Sequence, residues 1–201
     1  MQIIKQENLN TDEITEALKQ GKVIVYPTET VYGLGCDATN QEAVDKIFKI
    51  KKRQQNKPVL MLATDPHMMM RYIDWTPKLQ EIYDKYWPGP LTVVTPVKFG
   101  CNLPQGVLAG DNTIAFRITE HSLASELIKK LGQPLVSTSA NITEQKSSYD
   151  IEDVLDVFKN EIDQPDIIID SGKLPDHAPS TIIKIINNKI EILRQGELFI
   201  K

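Results

Sequence analysis

The strongest constraint on this chain is an alternation along its length. Short apolar runs are separated by amphipathic stretches with a 3.6-residue repeat. The runs at 22–26, 59–63, 91–95, 113–118, 135–136, 167–169, 181–186 and 189–193 read as strands. Between them, Asn10 or Thr11 can cap a helix with Ile14, Ala17 and Leu18 on one face, and Gly21 closes it. Thr39-Asn40-Gln41-Glu42 has capping-box spacing and opens a helix carrying Ala43, Val44, Ile47 and Phe48. Thr76-Pro77 starts a third, and Pro88-Gly89-Pro90 stops it. Leu123, Ala124, Leu127, Ile128 and Leu131 mark a fourth, closed by Gly132, and Ile151, Val154, Leu155 and Phe158 a fifth. Asn187-Asn188 joins the last two strands as a hairpin turn. The pattern predicts one mixed α/β domain over 1–201, and 201 residues bury a core without disulfide or metal.

Charge narrows the function. Lys+Arg number 23 and Asp+Glu 27, a net of −4, so a surface that grips nucleic acid throughout is disfavoured and only a local basic patch could serve. Cys36 and Cys101 stand far apart and the three histidines are isolated, so no zinc or iron–sulfur spacing exists. Two thiols without a secretory leader predict a reducing, cytoplasmic setting. No apolar run approaches the ~20 residues of a membrane span, so no membrane partner is expected.

Three polar segments follow apolar strands directly, where sheets present functional groups. In Pro27-Thr28-Glu29-Thr30-Val31-Tyr32-Gly33-Leu34-Gly35, hydroxyls, a carboxylate and glycines converge; the plain alternative is a proline-started turn. Lys46, Lys49, Lys51, Lys52, Arg53 and Lys57 form a run free of acids. Helix-end cations explain part of it at roughly 0.3–1 kcal/mol each, and phosphate binding by Arg53, Lys51 and Lys57 is the other reading. Ser137-Thr138-Ser139-Ala140-Asn141 offers hydroxyls and a carboxamide, either to a ligand or to a local turn. Arg117 interrupts an apolar strand and needs a carboxylate, from the protein or from a ligand; Arg194, near Gly196, has the same ambiguity.

Together these segments resemble the YrdC-like family of threonylcarbamoyl-AMP synthases in its short, single-domain form. The resemblance is carried by PTETVYGLG at 27–35, Lys51-x-Arg53-x-x-x-Lys57, WPGPLT at 87–92, TIAFRIT at 113–119, PLVSTSAN at 134–141, PSTI at 179–182 and LRQG at 193–196. It implies a twisted mixed sheet with flanking helices, a concave basic face and no appended C-terminal domain. It also implies a nucleotidyltransferase that joins L-threonine, bicarbonate (or CO₂) and ATP into threonylcarbamoyl-AMP and pyrophosphate, the activated group for tRNA threonylcarbamoyladenosine. Carried over by motif, Thr30, Arg117, Ser137 and Ser180 would hold L-threonine. Lys51, Arg53, Lys57, Thr113, Ser139, Asn141, Ser147 and Arg194 would hold ATP, with Lys51 and Arg53 catalytic and Mg²⁺ arriving with ATP rather than at a structural metal site. Partners implied beyond the substrates are tRNA or the downstream threonylcarbamoyl-transfer complex. Gln54 stands where many relatives have proline, and Leu62 where longer members have histidine. A non-catalytic duplex-RNA-binding factor for ribosome or tRNA maturation, of the same fold, is the alternative.

Overall fold

Side-chain caps set where the helices begin. Asn10, Asn40, Asp65, Thr76 and Asp150 accept from backbone N–H groups at the starts of α1 (Thr11–Lys19), α2 (Gln41–Lys51), α3 (Pro66–Met69), α4 (Pro77–Tyr86) and α6 (Ile151–Phe158). His121 does the same for α5 (Ser122–Leu131), and Gly132 ends that helix in the left-handed conformation, φ 71°. The structure is a computed structural model that describes residues 1–200. Among the described residues, no helix is long and apolar enough to cross a membrane.

The strands are β1 (Gln2–Lys5), β2 (Ile24–Tyr26), β3 (Gly33–Gly35), β4 (Leu60–Ala63), β5 (Leu91–Pro96), β6 (Thr113–Ile118), β7 (Leu135–Ser139), β8 (Ile167–Asp170), β9 (Thr181–Ile186) and β10 (Lys189–Arg194). They form one mixed ten-stranded sheet in the order β1-β8-β2-β3-β7-β4-β6-β5-β9-β10. Alternation along each strand sorts side chains between two faces. On one face, Val25, Leu34, Met61, Val93, Phe116, Val136, Ile168 and Ile183 join the buried residues of α2, α4 and α6 in the main core. On the other, Ile24, Tyr26, Leu62, Leu135, Ile167 and Ile169 pack under α1 and α5 in a second core.

The α/β fold, the mixed sheet and the five long helices follow the sequence pattern; three elements fall outside it and a fourth runs longer than expected. β1 and α3 lie in stretches with no clear periodicity. β3 lies inside the segment expected to be a loop, and β7 continues through Ser139, beyond the expected end at 136. A Gly-Leu-Gly strand has little propensity of its own, and pairing with β2 and β7 makes it. Glycine is needed there: a Cβ at Gly35 would lie 2.4 Å from the Val136 carbonyl oxygen.

Asp166, just before β8, ties sheet to helix. It accepts from the Val23 N–H at 2.8 Å and from Lys46 Nζ at 2.7 Å to each oxygen. Burial opposes its ionisation, yet the Lys46 and Val23 hydrogen bonds leave its pKa below the ordinary carboxylate value. A carboxylate depressed on folding stabilises above its unfolded pKa and loses that effect as pH falls through the folded one. Asp166→Ala is therefore expected to cost about 1.5–3 kcal/mol near neutral pH. Thermal melts should show the gap to wild type closing in strong acid; a gap that is independent of pH contradicts this assignment.

Candidate functional site

The second sheet face is only partly roofed. Beyond the residues under α1 and α5, the strands present Leu60 (β4), Thr92 and Val94 (β5), Ala115 and Arg117 (β6), Ser137 and Ser139 (β7) and Ile182 (β9) to a cavity of about 470 Å³. Register aligns them: Leu60 pairs with Ser137, Val94 with Ala115, Thr92 with Ile182, and Gly33 with Ser139. Small and hydroxylic side chains on adjacent strands leave the hollow that larger apolar ones fill elsewhere on this face. The volume is that of a small-molecule site.

The loop after β2 forms one wall. Thr28 Oγ1 donates to the Val31 carbonyl at 2.6 Å and accepts from the Thr30 N–H at 3.1 Å, a hydroxyl turn that fixes Thr30 against the cavity. At the opposite side, Arg194 donates through Nε and Nη2 to the Ser180 carbonyl at 3.1 and 2.7 Å, and through Nη2 to Ser180 Oγ at 3.1 Å. Ser180 Oγ also lies 3.1 Å from Thr92 Oγ1.

Arg117 lies in the floor, its side chain only 4% exposed. Glu29 stands behind it, Oε1 at 3.3 Å from Arg117 Nε, and Thr119 Oγ1 donates to the same carboxylate at 3.1–3.2 Å. The Nε–carboxylate contact is an ion pair without hydrogen-bond alignment, for Arg117 Nε makes no hydrogen bond. So the protein supplies the carboxylate that the buried arginine requires, while Arg117 also lines the cavity. Arg53, Arg117 and Arg194 contribute to the lining, and no acidic residue does. Burial, and then the charge of Arg117, lower the Arg194 pKa. Such a hollow suits an anion.

Of the expected residues, Thr30, Arg53, Arg117, Ser137, Ser139, Ser147, Ser180 and Arg194 line this one cavity. Lys51, Lys57, Thr113 and Asn141 do not. Lys57 is exposed, and its carbonyl accepts from Arg53 Nε at 2.7 Å; Arg53 Nη2 also donates to the Pro58 carbonyl at 3.0 Å. Thr113 Oγ1 donates to Asp111 at 2.6 Å. Lys51 is buried, with Nζ on oxygens of Ser139 and Asn141. The basic run is thus dispersed: Lys46 pairs with Asp166 and Lys52 with Glu161, and Arg53 alone of the run faces the cavity. Thr28, Glu29 and Thr92 were not among the expected site residues. The polarity of the 27–35 segment marked the first two, and the hydroxyl at Thr92 inside an apolar strand is the signal for the third.

A family model described as "Telomere recombination", covering Sua5, YciO and YrdC, matches residues 16–196. The chain is 35% identical over 192 residues to the threonylcarbamoyl-AMP synthase of Vibrio vulnificus strain YJ016, covering 93% of this chain and 98% of that one. It is 36% identical over 177 residues to the protein of the same name from Idiomarina loihiensis, covering 87% and 92%. Among solved structures it is similar to P. abyssi Sua5 complexed with L-threonine, with TM-score 0.84 and 29% identity. That match covers 98% of this chain and 57% of the P. abyssi chain, so this chain spans little more than half of that protein.

Proposed function

Because the chain belongs to the Sua5/YciO/YrdC family, we propose that it is a threonylcarbamoyl-AMP synthase, using L-threonine, bicarbonate or CO₂, and ATP. The observation that carries this reading is a single cavity lined by three arginines and by rows of hydroxyls, with no carboxylate in its lining. One substrate brings a carboxylate and the other a triphosphate.

Arg117, with Thr30, Ser137 and Ser180 around it, would take the threonine carboxylate and hydroxyl. The triphosphate would lie toward Arg53, Arg194, Ser139 and Ser147. The threonine amine forms a bond to the carbon of CO₂ and loses a proton, giving a carbamate. A carbamate oxygen then attacks the α-phosphorus of ATP, and the bond to the bridging oxygen breaks to release pyrophosphate. Arg53 and Arg194 would offset the charge that grows on the leaving group. Mg²⁺ would enter on the phosphates of its substrate complex, since the lining offers no acidic ligand. The product would pass to a transferase acting on tRNA. A duplex-RNA platform is less well served, because Lys46 and Lys52 are paired with acids and Lys51 is buried.

The test is pyrophosphate release that requires L-threonine, bicarbonate and ATP together. Arg53→Ala is expected to lower it about 100-fold or more, by raising the cost of leaving-group charge. An unchanged rate in that variant sinks the phosphate assignment.

A further inference from the structure

The pattern Lys51-x-Arg53 separates into two unlike environments. Arg53 reaches the cavity, whereas the Lys51 side chain turns beneath its wall, 1% exposed. Its ammonium meets three oxygens of a single loop: the Ser139 carbonyl at 2.5 Å, the Asn141 carbonyl at 2.8 Å and Asn141 Oδ1 at 2.8 Å. The Lys51 carbonyl in turn accepts from Thr143 N–H at 2.9 Å and Thr143 Oγ1 at 2.8 Å. The last residue of α2 therefore holds the loop after β7 at both ends.

Burial, and then the charge of Arg53, lower the Lys51 pKa to about 7; in the charged form the group has three N–H donors, and all three have partners here. Turning it toward a phosphate would leave the Asn141 carbonyl without a donor, at about 1–3 kcal/mol, whereas the Ser139 carbonyl would keep the Asn141 N–H at 2.9 Å and Asn141 Oδ1 the Ser139 hydroxyl. Asn141 is equally committed: Oδ1 also accepts from Ser139 Oγ at 2.7 Å, and Nδ2 donates to the Gln145 carbonyl at 2.6 Å. The clamp thus fixes Ser139, which lines the cavity, relative to Arg53.

We propose that Lys51 is a positioning residue: it clamps the 139–143 loop so that Ser139 and Arg53 frame the triphosphate, and it touches no phosphate oxygen itself. The proposal rests on the cavity being the ATP site. Its role in turnover would run through the loop, as outer-shell partners act on metal ligands, where losses are about 10–100-fold.

Two measurements test it. The first is a double-mutant cycle on tripolyphosphate affinity with Lys51→Met, Asn141→Ala and Arg53→Gln, using L-threonine affinity as the folding control. Lys51→Met should weaken tripolyphosphate about 10-fold or more and leave threonine binding unchanged. Adding Asn141→Ala should cost little more, because both break one clamp, whereas adding Arg53→Gln should multiply the loss. Independent losses for Lys51 and Asn141 would overturn the proposal. The second, which needs no variant to fold, is a crystal structure of the wild-type chain with ATP. Nζ should stay on Ser139 and Asn141; Nζ on a phosphate oxygen overturns the clamp while keeping the ATP site. Triphosphate bound elsewhere, or not at all, removes the ATP reading and the clamp's role with it.

Discussion

Arg117→Gln is expected to lower threonine-dependent pyrophosphate release by about 10²–10³-fold, and to weaken the fold in the same stroke. The guanidinium lies in the cavity floor with Glu29 at 3.3 Å, and the two side chains are 4% and 10% exposed. Removing the cation leaves Glu29 beside Thr119 with no counter-charge, and breaking one partner of a buried pair costs about 3–5 kcal/mol. The two effects separate in the double variant Arg117→Gln/Glu29→Gln. It should regain much of the melting temperature, since no buried charge is stranded, and still fail to turn over threonine. A single variant that keeps wild-type kcat/KM for threonine would remove Arg117 from the site. A double variant no more stable than the single one would show that Glu29 is compensated elsewhere.

Gly196→Ala should be nearly as damaging for a different reason. Its Cβ would lie 2.1 Å from the Pro179 carbonyl oxygen and 2.6 Å from main-chain atoms of Ser180 and Thr181. Main chain cannot swing aside as a side-chain tip does. The segment after β10 is stitched down at this point: the Gly196 N–H donates to Thr181 Oγ1 at 3.0 Å, and that hydroxyl donates to the Leu198 carbonyl at 2.6 Å. A methyl group forces these two segments apart, at about 1–3 kcal/mol or more. Arg194 would then be carried off Ser180. Lower melting temperature with weakened ATP and threonine binding is the expected result; wild-type melting and turnover would contradict the close approach.

How much of this was readable beforehand depended on whether the determinant was local. Asn10, Thr76, Gly132 and the Asn187-Asn188 turn act within a few residues, and each does what its sequence context predicts. β3 is not legible because a Gly-Leu-Gly strand owes its character to its partners, β2 across the 27–32 loop and β7 at 138–139, far along the chain. The site divides in the same way. The hydroxyl-rich positions are visible as polar residues just after strands, Arg117 as a charge inside an apolar strand and Arg53 as part of a basic run. That Lys51 points away from the cavity is not, since a lysine in a basic run reads identically whether its amine meets solvent or the oxygens of Ser139 and Asn141. The pairing of Arg117 with Glu29 is not legible for the same reason: 88 positions separate them, and only the fold chooses the partner.

The cavity also borrows its sides from parts of unequal permanence. Its floor belongs to the central strands β4, β6 and β7, largely buried, whereas every residue of β10 is exposed. Arg194 ends that strand. Opening free energy should therefore rise across the site from the hairpin side to the floor. Threonine's carboxylate would meet the more stable side, whereas the Arg194 side is expected to open more readily. A ligand bridging the two would act as the hairpin's missing neighbour, so occupancy itself becomes part of what keeps that edge of the sheet folded.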